Sequence, residues 1–145
     1  MDIRVTSKEF RPGEVLDGFA TGRRDIGAVV SFTGLVRDTG GVARMVIEHY
    51  PGMTEKAITA YAAKAVKRFE LEECLVIHRY GDIAAGAPIM MVITASRHRV
   101  NAFEAAQYLM DYLKSRAPFW KKEYTKDGAQ WVEAKTEDED ALSRW

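Results

Sequence analysis

The amino-acid sequence predicts an α+β fold, in which a mostly antiparallel sheet carries two main helices on one face. Short runs rich in β-branched and aromatic residues alternate with two longer stretches in which apolar residues recur at helical spacing. The chain has 145 residues, 47% of them hydrophobic, and contains no internal repeat, low-complexity segment or long linker. We therefore expect a single domain, residues 1–145, with its own hydrophobic core.

The first half of the chain is predicted to contain three strands and two helices. An opening strand near residues 3–5 precedes a short helix that starts at Pro12, where the missing N–H costs nothing, and ends near residue 19. The runs at 27–37 and 42–49 flank the turn-forming residues 38–41, so we expect them to pair as a hairpin. Thr54 is the expected N-cap of the first long helix, whose apolar stripe ends at Phe69.

The second half is predicted to contain three further strands and one long helix. Residues 74–79 and 88–96 form two paired strands joined by a glycine-containing loop, and the second is apolar enough to be central. Asn101 is the expected N-cap of the second long helix, which ends near residue 116 because Pro118 cannot continue it. The predicted buried stripe of this helix consists of Phe103, Ala106, Met110 and Leu113. A last short strand is expected at 130–134.

Composition argues against several classes of function. Lys plus Arg and Asp plus Glu both number 21, so no global field attracts nucleic acid or an anionic membrane, and any anion binding must be local. Cys74 is the only cysteine, which excludes an internal disulfide and a cysteine-clustered zinc site and favours a cytoplasmic location. No apolar stretch approaches the ~20 residues of a membrane span. No set of side chains has metal-ligand spacing, and we expect neither metal nor cofactor.

A basic turn is the first candidate for chemistry. Residues 96–99 (SRHR) lie where an apolar strand ends and a helix is about to begin. Backbone N–H groups and the helix dipole at such a junction favour a bound anion, and His98 and Arg99 would add charge. For these residues taken alone, a solvated basic turn is the simpler interpretation.

Two lysines near the end of the second long helix are the second candidate. Lys114 lies four residues after Met110, on a helix face that is at least partly apolar, so its amine can be partly desolvated. Lys121 follows a proline and two large aromatic residues that can shape a turn and exclude water. Both lysines could face one cavity and act as acid, base or nucleophile. The simpler interpretation is a snorkelling Lys114 and ordinary aromatic packing.

The remaining reactive side chains are interpreted as structural. His49 and His78 look more like packed histidines than metal ligands. Cys74 falls in a strand-like run, which favours a small buried side chain over a persulfide carrier.

Several longer segments, taken together, resemble one family. They are 27–37 (GAVVSFTGLVR), 48–56 (EHYPGMTEK), 77–81 (IHRYG), 96–99 (SRHR), 102–105 (AFEA), 110–123 (MDYLKSRAPFWKKE), 131–134 (WVEA) and the final RW. In this order they are similar to the large, catalytic subunit of molybdopterin synthase. The resemblance implies a hammerhead-type α/β arrangement with a small additional β subdomain.

The resemblance also implies an activity and partners. The family is a sulfurtransferase of molybdenum cofactor biosynthesis. It takes sulfur from the thiocarboxylated Gly-Gly C-terminus of a small ubiquitin-like carrier subunit and transfers it to cyclic pyranopterin monophosphate, forming the dithiolene of molybdopterin. The implied assembly is a homodimer of large subunits within a heterotetramer.

The resemblance assigns roles to eight residues. Lys114 and Lys121 match the family's essential lysines. We expect Lys114 to polarise the carrier's terminal carbonyl and Lys121 to move protons, and the opposite assignment remains open. Arg37, His98, Arg99 and Lys135 match substrate-anion contacts, and Phe32 and Met110 match pocket-lining positions. Lys135 stands where many members have an arginine that reaches the neighbouring protomer, so its phosphate contact lacks the bidentate fork.

Two other functions remain compatible with these residues. The basic cluster could belong to a phosphate- or RNA-binding module, although zero net charge and the acidic residues 137–140 favour a compact pocket over a basic groove. An inactive scaffold that only binds the carrier differs from the enzyme solely in what the two lysines do.

Overall fold

The computed structural model describes residues 1–38, 40–132 and 136–145. Within them the chain forms eight strands and four helices. The strands are β1 (Asp2–Thr6), β2 (Ala28–Leu35), β3 (Arg44–His49), β4 (Glu73–Arg79), β5 (Gly81–Ala84), β6 (Pro88–Ser96), β7 (Phe119–Thr125) and β8 (Gly128–Val132). The helices are α1 (Pro12–Gly18), α2 (Met53–Arg68), α3 (Arg99–Ser115) and α4 (Thr136–Leu142). None of the described helices is both long and apolar enough to cross a membrane.

The first sheet, sheet A, has the strand order β1-β4-β6-β2. Only the β1–β4 pair is parallel. Alternate residues of β4 and β6 point to opposite faces. Val76 and Val92 join the main core formed with α2 and α3, whereas Leu75 and Ile93 pack against the side chains around α1. The prediction of a mostly antiparallel sheet with two main helices on one face is therefore confirmed.

The second sheet, sheet B, is smaller in area and has the order β5-β3-β7-β8, with every pair antiparallel. Ile47 of β3 and Ile83 of β5 are buried and belong to the main core, so one face of sheet B covers that core. This sheet corresponds to the small additional β subdomain that the family resemblance implies. The strand β7, which was not predicted, lies in its interior between β3 and β8.

The predicted hairpin between 27–37 and 42–49 is wrong. β2 pairs with β6 in sheet A, whereas β3 pairs with β5 and β7 in sheet B. Val36 is buried, and its N–H donates to the carbonyl of Ala87, which holds the end of β2 beside β6. The predicted pairing of 74–79 with 88–96 is confirmed, but the connecting segment contains β5 and so passes through sheet B.

Both predicted N-caps are wrong, for the same physical reason. α2 begins after Gly52 and α3 after His98, so neither Thr54 nor Asn101 holds the cap position. The Thr54 hydroxyl donates to the carbonyl of Pro118, and the Asn101 amide donates to the carbonyl of Phe69 at 2.8 Å. Each side chain donates to a backbone carbonyl far along the chain, and so does not make the local capping hydrogen bond that its residue type favours.

The face that α3 buries differs from the predicted stripe at one position. Ala106 and Leu113 are buried and Met110 is half-buried, as predicted, but Phe103 is 61% exposed. Small side chains face the sheet in its place, and the Thr94 hydroxyl donates to the Ala102 carbonyl at 2.7 Å. The backbone of α3 therefore lies close to β6 in its first turns.

The C-terminus packs back onto α3. Asp111, only 8% exposed, accepts two hydrogen bonds from Arg144, at 2.9 and 3.1 Å, and one from the indole of Trp145 at 2.5 Å. The Trp145 ring also meets Phe69 and Tyr108 edge to face. These contacts fix the outer side of α3 in the turn before Lys114. The last predicted strand, 130–134, overlaps β8, and residues 133–135 lie outside the described part of the chain.

Candidate active site

The two candidate lysines lie on different elements joined by one tight bend. Lys114 is in the last turn of α3 and is exposed. Lys121 is in β7, half-buried, with Ile47 of β3 and Val132 of β8 as its directly paired neighbours. Since directly paired residues lie on the same face of a sheet, Lys121 lies on the face that carries Ile47 and covers the core.

The charges of both lysines influence the pKa of one buried histidine. His78, at the end of β4, is 2% exposed, and its ring stacks on Phe119 with 3.8 Å between ring centroids. Burial is the main cause that lowers the pKa of His78 to about 3, and the positive charges of Lys121 and Lys114 lower it further. Both ammonium groups are therefore close enough to this imidazole for their charges to oppose its protonation.

The hydrogen bonding of His78 defines its protonation. Its Nδ1 lies 2.8 Å from the carbonyl oxygen of Arg79. A carbonyl only accepts, so the neutral ring carries its proton on Nδ1 and donates it there. The interpretation of His78 as a structural histidine is thus consistent with its burial, but sequence reasoning did not anticipate its place beside both lysines.

Arg37 and Met110 lie toward the same end of the fold. α3 follows β6 after a short turn and runs back along it, so the C-terminal end of α3 lies toward the start of β6. Arg37 is exposed just beyond the end of β2, which is held beside the start of β6. Met110 lies one turn before Lys114. Phe32 is 41% exposed in the middle of β2, opposite Val92.

His98 and Arg99 lie at the other end of the same helix. Both are exposed, His98 at the N-cap of α3 and Arg99 at its first residue. With a rise of about 1.5 Å per residue, the backbone of Arg99 is about 22 Å from that of Lys114. Within one chain the rigid helix therefore keeps His98 and Arg99 apart from Lys114. Lys135 lies outside the described residues.

Cys74 is unsuited to carrying sulfur. Its side chain is fully buried, and burial raises the pKa of the thiol to about 12. A thiol that stays protonated is a poor nucleophile. The prediction of a small buried side chain is confirmed.

A cleft of about 520 Å³ opens on the other side of sheet A, between α1, β1 and β4. It is lined by residues such as Arg4, Phe19 and Leu75. Leu75 points away from α2 and α3, so this cleft is separate from the two lysines.

Comparisons with known proteins agree on one family. A family model described as MoaE protein matches residues 5–116. The molybdopterin synthase catalytic subunit of Cereibacter sphaeroides is 56% identical over 146 aligned residues, covering 100% of both chains. That of Pseudomonas aeruginosa is 48% identical and covers 100% of this chain and 99% of its own.

Solved structures show the same likeness. A molybdopterin biosynthesis MoaE protein from Burkholderia ambifaria superposes with a TM-score of 0.85 at 43% identity, over 99% of this chain and 97% of that chain. The molybdopterin synthase of Staphylococcus aureus gives a TM-score of 0.80 at 26% identity, over 90% of this chain and 96% of that one.

Proposed function

Because this chain belongs to the MoaE family, we propose that Lys114 and Lys121 carry out the sulfur transfer of a molybdopterin synthase. The chain functions as the catalytic subunit of that enzyme, in molybdenum cofactor biosynthesis. Its donor is the thiocarboxylated C-terminus of a small sulfur-carrier subunit, and its acceptor is cyclic pyranopterin monophosphate. A cytoplasmic location, which the lone buried cysteine favours, belongs to the same proposal.

The observation that supports this most is that α3 and β7, joined by one short bend, carry Lys114 and Lys121, and that the charges of both oppose the protonation of His78. A cyclic phosphate and a thiocarboxylate bring at least two negative charges together, which repel unless cations lie between them. Two ammonium groups on separate elements, brought to one end of the fold, supply that charge. A phosphate- or RNA-binding module is not supported, since the curated relatives are named as catalytic subunits of a synthase.

Lys121 is more buried than Lys114, which supports a different chemical role for each lysine. Lys114 is exposed at a helix end, where the extended tail of the carrier can reach it. It polarises the terminal carbonyl of the carrier as water adds there and the carbon–sulfur bond breaks, so that the sulfur stays on the pterin and the carrier ends in a carboxylate. Lys121 is half-buried beside Ile47 and Val132, where it moves protons as the cyclic phosphate opens and water is lost.

His98 and Arg99 serve the site of a second copy of the chain in this proposal. They are too far along α3 to meet the substrate that Lys114 of their own chain contacts. A homodimer in which the start of one α3 faces the end of the other resolves this separation, because a two-fold axis repeats each such contact. Lys135 is proposed to reach the same neighbouring site, and Arg37, Phe32 and Met110 to line the site of their own chain.

The test compares a substitution that removes one amine with the same substitution at a neighbouring lysine, which serves as the control. Lys121→Ala should abolish dithiolene formation from thiocarboxylated carrier and pterin precursor, while the complex with the carrier stays intact. Lys122→Ala is the matched control, because its amine lies on the other face of sheet B, over the rings of Tyr124 and Trp131. Normal turnover by Lys121→Ala would contradict the mechanism.

A further inference from the structure

Thr54 makes two hydrogen bonds that have nothing to do with capping. Its side chain is fully buried, and its hydroxyl oxygen accepts the N–H of Tyr50 at 3.0 Å. The same hydroxyl donates to the carbonyl oxygen of Pro118, 64 residues away, also at 3.0 Å. A hydroxyl has one proton to donate, and here that proton is committed to the bend that separates the two lysines.

His78 holds the next residue of the same bend. Its imidazole lies against the ring of Phe119, with only 16° between the planes. The hydrogen bond from Nδ1 to the carbonyl of Arg79 prevents the imidazole from turning away. Thr54 of α2 and His78 of β4, both buried, therefore contact two consecutive residues, Pro118 and Phe119, where the chain passes from α3 to β7.

The backbone of the bend makes few hydrogen bonds of its own beyond those that end α3. The N–H groups of Arg116 and Ala117 both donate to Tyr112, so they finish α3. Pro118 has no N–H to contribute. The N–H of Phe119 donates to the carbonyl of Ala117 at 2.8 Å, so one backbone hydrogen bond closes the bend over Pro118. Thr54 and His78, together with the pairing of β7 to β3, then hold the chain where it leaves the bend.

We propose that Thr54 and His78 are positioning residues, which hold Pro118 and Phe119 and thereby set the place of Lys121 relative to Lys114. This inference rests on the proposed function of the two lysines. Phe119 and Lys121 are two residues apart in β7, so they project to the same side of the strand. A shift of the Phe119 ring would move the backbone of β7 and with it the Lys121 amine. Displacement of a reacting group by about 1 Å can lower the rate about 100-fold.

The first experiment separates positioning from stability with a pair of substitutions at Thr54. Thr54→Val keeps the shape but loses the hydroxyl, and we expect its kcat to fall at least tenfold with the KM for the carrier unchanged. Thr54→Ser keeps the hydroxyl and should restore most of kcat. All assays are run on the complex with the carrier, well below the Tm of each variant.

Ile93→Val controls for a loss of stability alone. Ile93 is fully buried on the face of sheet A that packs against the side chains around α1, away from the bend. This variant should lower Tm and leave kcat unchanged. If Thr54→Val also lowered Tm while keeping full kcat, Thr54 would be structural only and the inference would be wrong.

If Thr54→Val does not fold, substitutions at His78 test the positioning role independently. His78→Phe keeps a ring against Phe119, whereas His78→Leu removes the ring stack. We expect kcat to fall several-fold more for Leu than for Phe, again without a change in KM. Equal kcat for both would overturn the role of the stack. Activity retained by Lys121→Ala would instead overturn the proposed function, so the two failures are distinguishable.

Discussion

The proposal that one active site is divided between two chains can be tested by complementation. Lys121→Ala should be inactive, and Arg99→Ala should be strongly impaired by loss of an anion contact. A heterodimer that carries one substitution in each chain tests where the two residues act. If Arg99 serves the site of the opposite chain, both substitutions fall in one site and leave the other intact.

The expected recovery of activity follows from the two-fold symmetry of the dimer. A purified heterodimer should keep one working site of two, about half of the wild-type activity, and an equal mixture that exchanges subunits at random should recover about one quarter. Differently tagged copies, purified through both tags and assayed for dithiolene product with thiocarboxylated carrier, measure this directly. The structural basis is the separation of about 22 Å that α3 imposes between Arg99 and Lys114.

A second heterodimer provides the control. Lys114→Ala paired with Lys121→Ala damages both sites, because the two lysines act at one site of one chain, and it should stay inactive. An inactive Arg99→Ala with Lys121→Ala heterodimer would show that Arg99 acts in its own chain, against the geometry of the helix. Activity in the double-lysine heterodimer would show that the two lysines belong to different sites.

Two further predictions concern stability. Burial holds the pKa of His78 at about 3 in the folded chain against 6.5 when unfolded, so the unfolded state binds more protons between these values and stability is lost as the pH falls below 6.5. The loss is at most about 1.4 kcal/mol per pH unit, and His78→Phe should remove it, which urea unfolding of both proteins at pH 7 and pH 5 would measure. Asp111→Asn should lower the free energy of unfolding by about 2 kcal/mol, because a buried carboxylate loses its charged bonds to Arg144. Glu139→Gln, which breaks the exposed pair with Arg116, should cost under about 1 kcal/mol, and an equal loss for both would contradict the role of burial.

Local chemistry was a good guide where the determining interactions are close in sequence. The helical spacing of apolar residues predicted α2 and α3, and β-branched runs predicted β2, β4 and β6, because these patterns report which side of an element can be buried. Helix α1 begins at Pro12, as the fit of proline to a first turn predicts. Residues 110–123, with the other matching segments, were enough to indicate the family.

Local chemistry failed where a distant partner competes for the same group. Thr54 and Asn101 have the side chains of N-caps, yet each hydrogen-bonds a carbonyl far along the chain. The turn-like residues 38–41 suggested a hairpin, but the pairing of β2 with β6 directs the chain into a second sheet. β7 was not predicted, since its run of charged and aromatic residues does not alternate cleanly between apolar and polar.

The sequence alone determined the types of side chain available for chemistry, the main helices and strands, and the family to which they belong, because all of these are carried by residue identity and short-range spacing. Only the tertiary structure decided that the charges of both Lys114 and Lys121 reach His78, while Arg99 lies a helix length away from Lys114. The physical reason is that strand pairing and long-range hydrogen bonds set distances between elements, and no local pattern in the chain encodes those distances.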